Sequence, residues 1–179
     1  GKAIYLDSDI ITLADLRPLL ALEIPQDKGF LALQASETSV MLINCSWFKK
    51  QTAWPSIAEM KSNQWGLGRY LNLLTELQAS APLPPQWNCL DGKGFDLKET
   101  KIIHYTNMIT QPWVPYPDKI AYQVHPHIPA VKLWVQHYDE AEEKGAIPED
   151  APPSIKIPEE HEETFHSLLE CYDEMDAPE

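Results

Sequence analysis

The chain has 179 residues, an apolar fraction of 44% and a formal charge of −13, a profile that fits one globular domain with at most an appendage. The charge is uneven: residues 139–179 hold 15 acidic residues against two lysines, so this tail carries the whole −13, and the rest balances at 12 acids to 12 bases. No basic stripe points to nucleic acid, and no apolar run nears the ~18–20 residues that cross a bilayer.

In chain order, Gly1–Leu6 reads as a short buried strand that breaks into Asp7-Ser8-Asp9. Ala14–Leu22 predicts a helix, with Thr12 or Asp15 as cap and Pro18 in the first turn, where proline is tolerated. Gly29–Leu33 is a second strand, and Gln34–Thr38 is a polar break. Ser39–Asn44 is a third strand, apolar on both faces and therefore central in its sheet. Trp54–Gln78 is mostly helical, split at Gly66 and Gly68, with Arg69–Gln78 as the second piece. The proline-rich Ala81–Pro85 is extended. Gln86–Leu90 is a short strand or ordered loop, Asp91–Gly94 a turn and Lys101–Tyr105 a fourth strand. Residues 106–122 are loop, His125-Pro126-His127 is a structured loop, and Pro129–Lys144 is a helix stopped by Gly145. A linker with four prolines follows over Pro148–Pro158, then an acidic helix over Glu159–Met175. The expected division is a domain over 1–145 and an acidic proline-rich appendage over 146–179. Cys45, Cys89 and Cys171 form no CxxC pair and read as reduced thiols rather than a zinc or redox site.

Two carboxylates, Asp7 and Asp9, at the end of an apolar strand lie where open α/β sheets bind ligands. Such a pair needs a cation or a shared proton, and a divalent metal carrying phosphates supplies one. His104 also ends an apolar strand. If that strand runs parallel to the first, His104 reaches the same sheet edge, and the mixed oxygen and nitrogen set favours Mn²⁺ over Ca²⁺. A phosphatase with a nucleophilic aspartate lacks support, since Ile11 stands where the usual Thr would be and no later Lys with paired acids follows.

The joint pattern is strand-Asp-x-Asp-helix, the buried Val40-Met41-Leu42-Ile43-Asn44, Pro84-Pro85-Gln86-Trp87-Asn88, and Ile103-His104-Tyr105 with Pro112-Trp113 downstream. This order resembles the family 8 glycosyltransferases, the glycogenin-like retaining enzymes, over roughly residues 2–135. The resemblance implies an α/β chain of the GT-A type: a mixed sheet flanked by helices, incomplete at its N-terminus, with the acidic tail appended. It implies that Asp7, Asp9 and His104 hold Mn²⁺ or Mg²⁺, which carries the diphosphate of a nucleotide-sugar donor, usually UDP-linked. Ser8, Asn107 and Gln111 would face that donor. Glu37 and Ser39, with Trp87, Asn88 and Trp113, would meet the sugar or a glycan, lipid or protein acceptor. The chain departs from the family at three places. Glu37-Thr38-Ser39 replaces Asn-Ala-Gly, Gln111 replaces a phosphate-gripping Lys, and Asn63-Gln64-Trp65 replaces an acidic Asp-Gln-Asp. The alternative is a non-catalytic carbohydrate- or protein-binding relic of the same fold. Since the chain opens without Met almost directly in a strand, its N-terminal part is expected to be missing. The cytoplasm is favoured, with the secretory pathway left open.

Overall fold

The structure is a computed structural model that describes residues 1–62, 66–93, 96–113, 123 and 125–146. Asn63–Trp65, which stands in place of the family's acidic segment, the expected 148–158 linker and the expected 159–175 helix lie outside these residues. The chain divides into two compact units, one made of Gly1–Leu90 with Phe95–His104, the other of Asp91–Gly94 with the chain from Tyr105 on. The division therefore falls inside the expected 1–145 domain. Its physical reason is Asp91, whose carboxylate is hydrogen-bonded to Thr106 and His125 and so belongs with the later segment.

The first unit is mixed α/β. In chain order it holds β1 (Lys2–Leu6), β2 (Ile10–Thr12), α1 (Arg17–Ala21), β3 (Phe30–Ala32), β4 (Val40–Asn44), α2 (Cys45–Phe48), α3 (Ile57–Lys61), α4 (Leu67–Glu76), β5 (Ser80–Pro82), β6 (Cys89–Leu90) and β7 (Ile102–His104). The strands form two mixed sheets where one was expected, a four-stranded one ordered β1-β4-β3-β5 and a three-stranded one ordered β2-β7-β6. The β1/β4, β3/β4 and β2/β7 pairs are antiparallel; β3/β5 and β6/β7 are parallel.

Strand β4 is interior, as its two apolar faces require. Side chains alternate along a strand, so Val40 and Leu42 enter one cluster with Leu19, Leu31, Leu83, Trp87 and Ile102. Met41 enters the other with Phe30, Ala32, Leu74 and Ala79, against which Trp47, Phe48, Trp54 and Tyr70 also pack. Strand β1, by contrast, is an edge strand rather than a buried one, and Tyr5 is 45% exposed. Proline in β5 is tolerated because β5 is the opposite edge. The α1 helix is shorter than the expected Ala14–Leu22 because Ile10–Thr12 is drawn into the second sheet. The Leu13 N–H extends that ladder to the Lys101 carbonyl (2.8 Å). Asp15 then accepts the Arg17 N–H (2.8 Å), and Pro18 falls in the first turn. Gly66 is the N-cap of α4, while Gly68 lies inside the helix.

Gly29 is required by packing. A Cβ there would lie 2.6 and 2.8 Å from ring carbons of Trp47, and that indole is pinned by its Nε1–H donating to the Asp27 carbonyl (3.1 Å). Gly29→Ala is expected to destabilise the chain by about 1–3 kcal/mol through overpacking. A urea titration checks this; an unchanged midpoint would show that Trp47 can move aside.

In the second unit, α5 (Ile128–Glu143) ends as expected at Gly145. Gly145 has φ +62°, and Gly145 and Ala146 donate to the carbonyls of Glu142 and Ala141 (both 2.8 Å). This double bond pattern is the Schellman stop. Tyr105 is buried and donates its hydroxyl to the Ala130 carbonyl (2.7 Å), and burial holds its phenol far above the ordinary value. Trp113 packs edge-on against Tyr105 and tilted against Trp134 (ring centroids 5.5 and 5.9 Å).

Candidate metal centre

Asp7 and Asp9 flank the exposed Ser8 between β1 and β2. Asp7 is held by the last rung of the β1/β4 ladder, where its N–H donates to the Ser39 carbonyl (2.8 Å). Asp9 immediately precedes Ile10, which pairs directly with His104 across the antiparallel β2/β7 ladder. His104 therefore arrives by antiparallel pairing in a second sheet, not from a parallel strand beside β1.

Asp7, Asp9 and His104 each offer a ligand atom, and these atoms lie within 4.8 Å of one another. The Nε2 of His104 is 3.4 Å from Asp9 Oδ1. Opposite ligands of an octahedral cation with bonds of 2.0–2.1 Å stand about 4.2 Å apart, so the set can close on a divalent ion with little movement. The charges argue the same way, since two adjacent carboxylates, with a third from Glu37 at the far side of the ring, are best balanced by a cation. Tyr5 shares the Asp7 face of β1 two residues away and donates its hydroxyl to Asp7 Oδ1 (2.7 Å). That hydrogen bond holds the Tyr5 phenol above its ordinary value, with desolvation and the nearby carboxylates adding to the effect. A cavity of about 600 Å³ opens beside Asp7, lined among others by Tyr5, Glu37, Ser39, Met41, Tyr70 and Leu71.

The chain matches no known protein-family model and no curated protein.

The other residues singled out in the sequence fall into three groups. Glu37 and Ser39 line the cavity, and the Ser39 hydroxyl is hydrogen-bonded to Glu37 Oε1. Trp87 and Asn88 do not line a groove. Trp87 is 5% exposed within the apolar cluster, and Asn88 is 1% exposed with its Nδ2 donating to Ser39 Oγ (3.0 Å). An indole packed on all sides has no face left for a sugar. Asn107, Gln111 and Trp113 belong to the second unit. There Asn107 Oδ1 accepts the Ile109 N–H (3.3 Å), the buried Gln111 donates Nε2–H to the Tyr105 carbonyl (3.1 Å), and Trp113 packs on aromatic rings.

Sequence reasoning missed two features. Tyr5 reads as part of a buried strand, although its place two residues before Asp7 puts both on one face of that strand. The Asp91–His125 pair in the second unit was read as a turn and a loop. In it His127 N–H donates to His125 Nδ1 (2.9 Å), which leaves the ring proton on Nε2, facing Asp91 Oδ2 at 2.8 Å. Cys45 and Cys89 are free thiols. No helix among the described residues is long and apolar enough to cross a membrane.

Proposed function

We propose that this chain carries the metal centre of a glycosyltransferase that moves a sugar from a nucleotide-sugar donor, UDP-linked by resemblance, to a glycan, lipid or protein acceptor with retention. The supporting observation is the convergence of Asp7, Asp9 and His104, which come from a turn and from a strand far along the chain, within 4.8 Å. Two carboxylate oxygens and one imidazole nitrogen suit Mn²⁺ or Mg²⁺ with positions left for phosphate oxygens. A cation held there offsets the charge that builds on the leaving diphosphate.

The chain's own groups orient. Asp7 is fixed at its backbone by Ser39 and at its side chain by Tyr5, so its remaining oxygen points in one direction. The adjoining cavity pairs the Tyr5 and Tyr70 side chains with carboxylate and hydroxyl groups, the mix of apolar surface and a few polar contacts that holds a sugar ring. No described side chain is assigned as nucleophile. In this reading the protein contributes positioning and charge stabilisation.

The second reading, a binding module without turnover, rests on Gln111. Its amide is engaged with the Tyr105 carbonyl and brings no positive charge to a phosphate. The full-length gene product, assayed for nucleoside diphosphate release across a panel of nucleotide sugars, separates the two. Release that requires Mn²⁺ or Mg²⁺ and stops with EDTA supports the enzyme. No release with any donor, together with Asp9→Ala binding UDP as tightly as the parent, would sink it.

A further inference from the structure

Glu37 faces the other edge of the His104 ring. Its Oε1 lies 3.8 Å from Nδ1, while Nε2 lies 3.4 Å from Asp9 Oδ1. His104 is 7% exposed, and its Nδ1 is shut from solvent with no hydrogen-bond partner among the described residues. A buried polar atom in that state is costly. With the proton on Nδ1, Glu37 is the acceptor already in place, and a small closure makes the bond.

Glu37 is itself held. Its N–H donates to the Gln34 carbonyl (3.0 Å), closing the turn that leads into β4. The Ser39 hydroxyl gives its one proton to Glu37 Oε1, so Asn88 must present its amide N–H to Ser39 Oγ, as it does at 3.0 Å. Ser39 and Asn88 are 3% and 1% exposed, so little water competes for these bonds. The same Ser39 anchors Asp7 through its carbonyl.

We propose that Glu37 is a positioning residue. It accepts the Nδ1 proton of His104 and thereby turns the Nε2 lone pair toward Asp7 and Asp9, with Ser39 and Asn88 holding the carboxylate. This rests on the metal-centre reading above. The two ring nitrogens of an imidazole point apart, so one ion cannot use both, and Glu37 acts from behind the ring. A carboxylate on the far nitrogen also strengthens the near one as a ligand. The network explains why a chain with Glu37-Thr38-Ser39 at this turn also has a buried Asn88 with no access to a groove. It replaces the expectation that Glu37 reads sugar hydroxyls.

The test is Mn²⁺ binding to the full chain without nucleotide, followed by loss of the free Mn²⁺ electron paramagnetic resonance signal. Glu37→Gln is expected to weaken binding about 10–100-fold, the usual cost of removing such an outer partner, with an unchanged metal-free melting temperature. Ser39→Ala is expected to lose less, in the same direction. Glu37→Gln binding Mn²⁺ as tightly as the parent would overturn the proposal. So would a variant whose Mn²⁺ affinity is kept while its KM for nucleotide sugar rises, which would return Glu37 to the sugar. If the parent binds no Mn²⁺ and His104→Ala changes nothing, the metal centre fails along with it, a result distinct from failure of Glu37 alone.

Discussion

Asp9→Asn is expected to lower metal-dependent turnover by about 10²–10³-fold, the loss seen when one preorganised group facing developing charge is removed. Asparagine keeps the shape of the side chain and removes its charge. Asp9 is the carboxylate nearest His104, with Oδ1 3.4 Å from Nε2, and it sits next to the Ile10–His104 pair that brings the two sheet segments together. Asp7 shares one oxygen with the Tyr5 hydroxyl. The fold should not suffer. A partly exposed, isosteric change is worth within about 0.5 kcal/mol, and easing the repulsion between Asp7 and Asp9 works in its favour. Initial rates against Mn²⁺ concentration, with a thermal melt of the same protein, check both halves. A variant with the parent's Mn²⁺ dependence would remove Asp9 from the site.

Asp91→Ala is expected to destabilise the protein by about 1–3 kcal/mol, the cost of leaving a buried donor without its charged acceptor. Asp91 and His125 side chains are 1% and 2% exposed and 2.8 Å apart. Asp91 Oδ1 also accepts from the Thr106 N–H and hydroxyl (both 3.0 Å) and from the Gly92 N–H (2.8 Å). Removing the carboxylate takes this acceptor from the buried His125, while Thr106 and Gly92 are exposed and can turn to water. The pH dependence follows from the same contacts. Burial pushes the Asp91 carboxyl up, but the bonds from His125 and Thr106 outweigh it, and the net shift is downward. A pKa lower in the folded state gives stability that is full above the unfolded value of about 3.9 and is lost as the pH falls through the lower folded value. Urea titrations of parent and variant should therefore differ most near neutrality and converge below about pH 4. A difference under about 1 kcal/mol at pH 7 would mean that the pair is not what holds this unit.

What the sequence made legible was local. The two apolar faces of Val40–Asn44 pointed to an interior strand, and its alternation divides the two clusters on either side. Gly145 marked the end of α5 through a backbone angle that other residues resist. Asp7 and Asp9 stood out because the apolar run breaks there. What it hid was pairing between distant segments. Ile10–Thr12 is too short to announce a strand, and nothing within it states that its partner is Ile102–His104 or that the two run antiparallel. Register is set by the whole packed sheet. His104 was thus found as a candidate ligand by its residue type, but its route to Asp9 was misjudged. Trp87 was misassigned for a related reason. An indole serves a core or a sugar equally well, and only its neighbours Leu19, Leu83 and Ile102 decide. The Asn88–Ser39–Glu37 chain and the Asp91–His125 pair join residues far apart in sequence, so no spacing rule could reveal them.

The central claim is that Asp7, Asp9 and His104 hold one divalent cation. Crystals grown with Mn²⁺ and a nucleoside diphosphate, measured on both sides of the manganese absorption edge, test it most directly. The account predicts a single anomalous peak bonded to a carboxylate oxygen of each aspartate and to Nε2 of His104, with diphosphate oxygens completing the shell and Glu37 on Nδ1. A peak elsewhere, or none at these residues at saturating Mn²⁺, would contradict it.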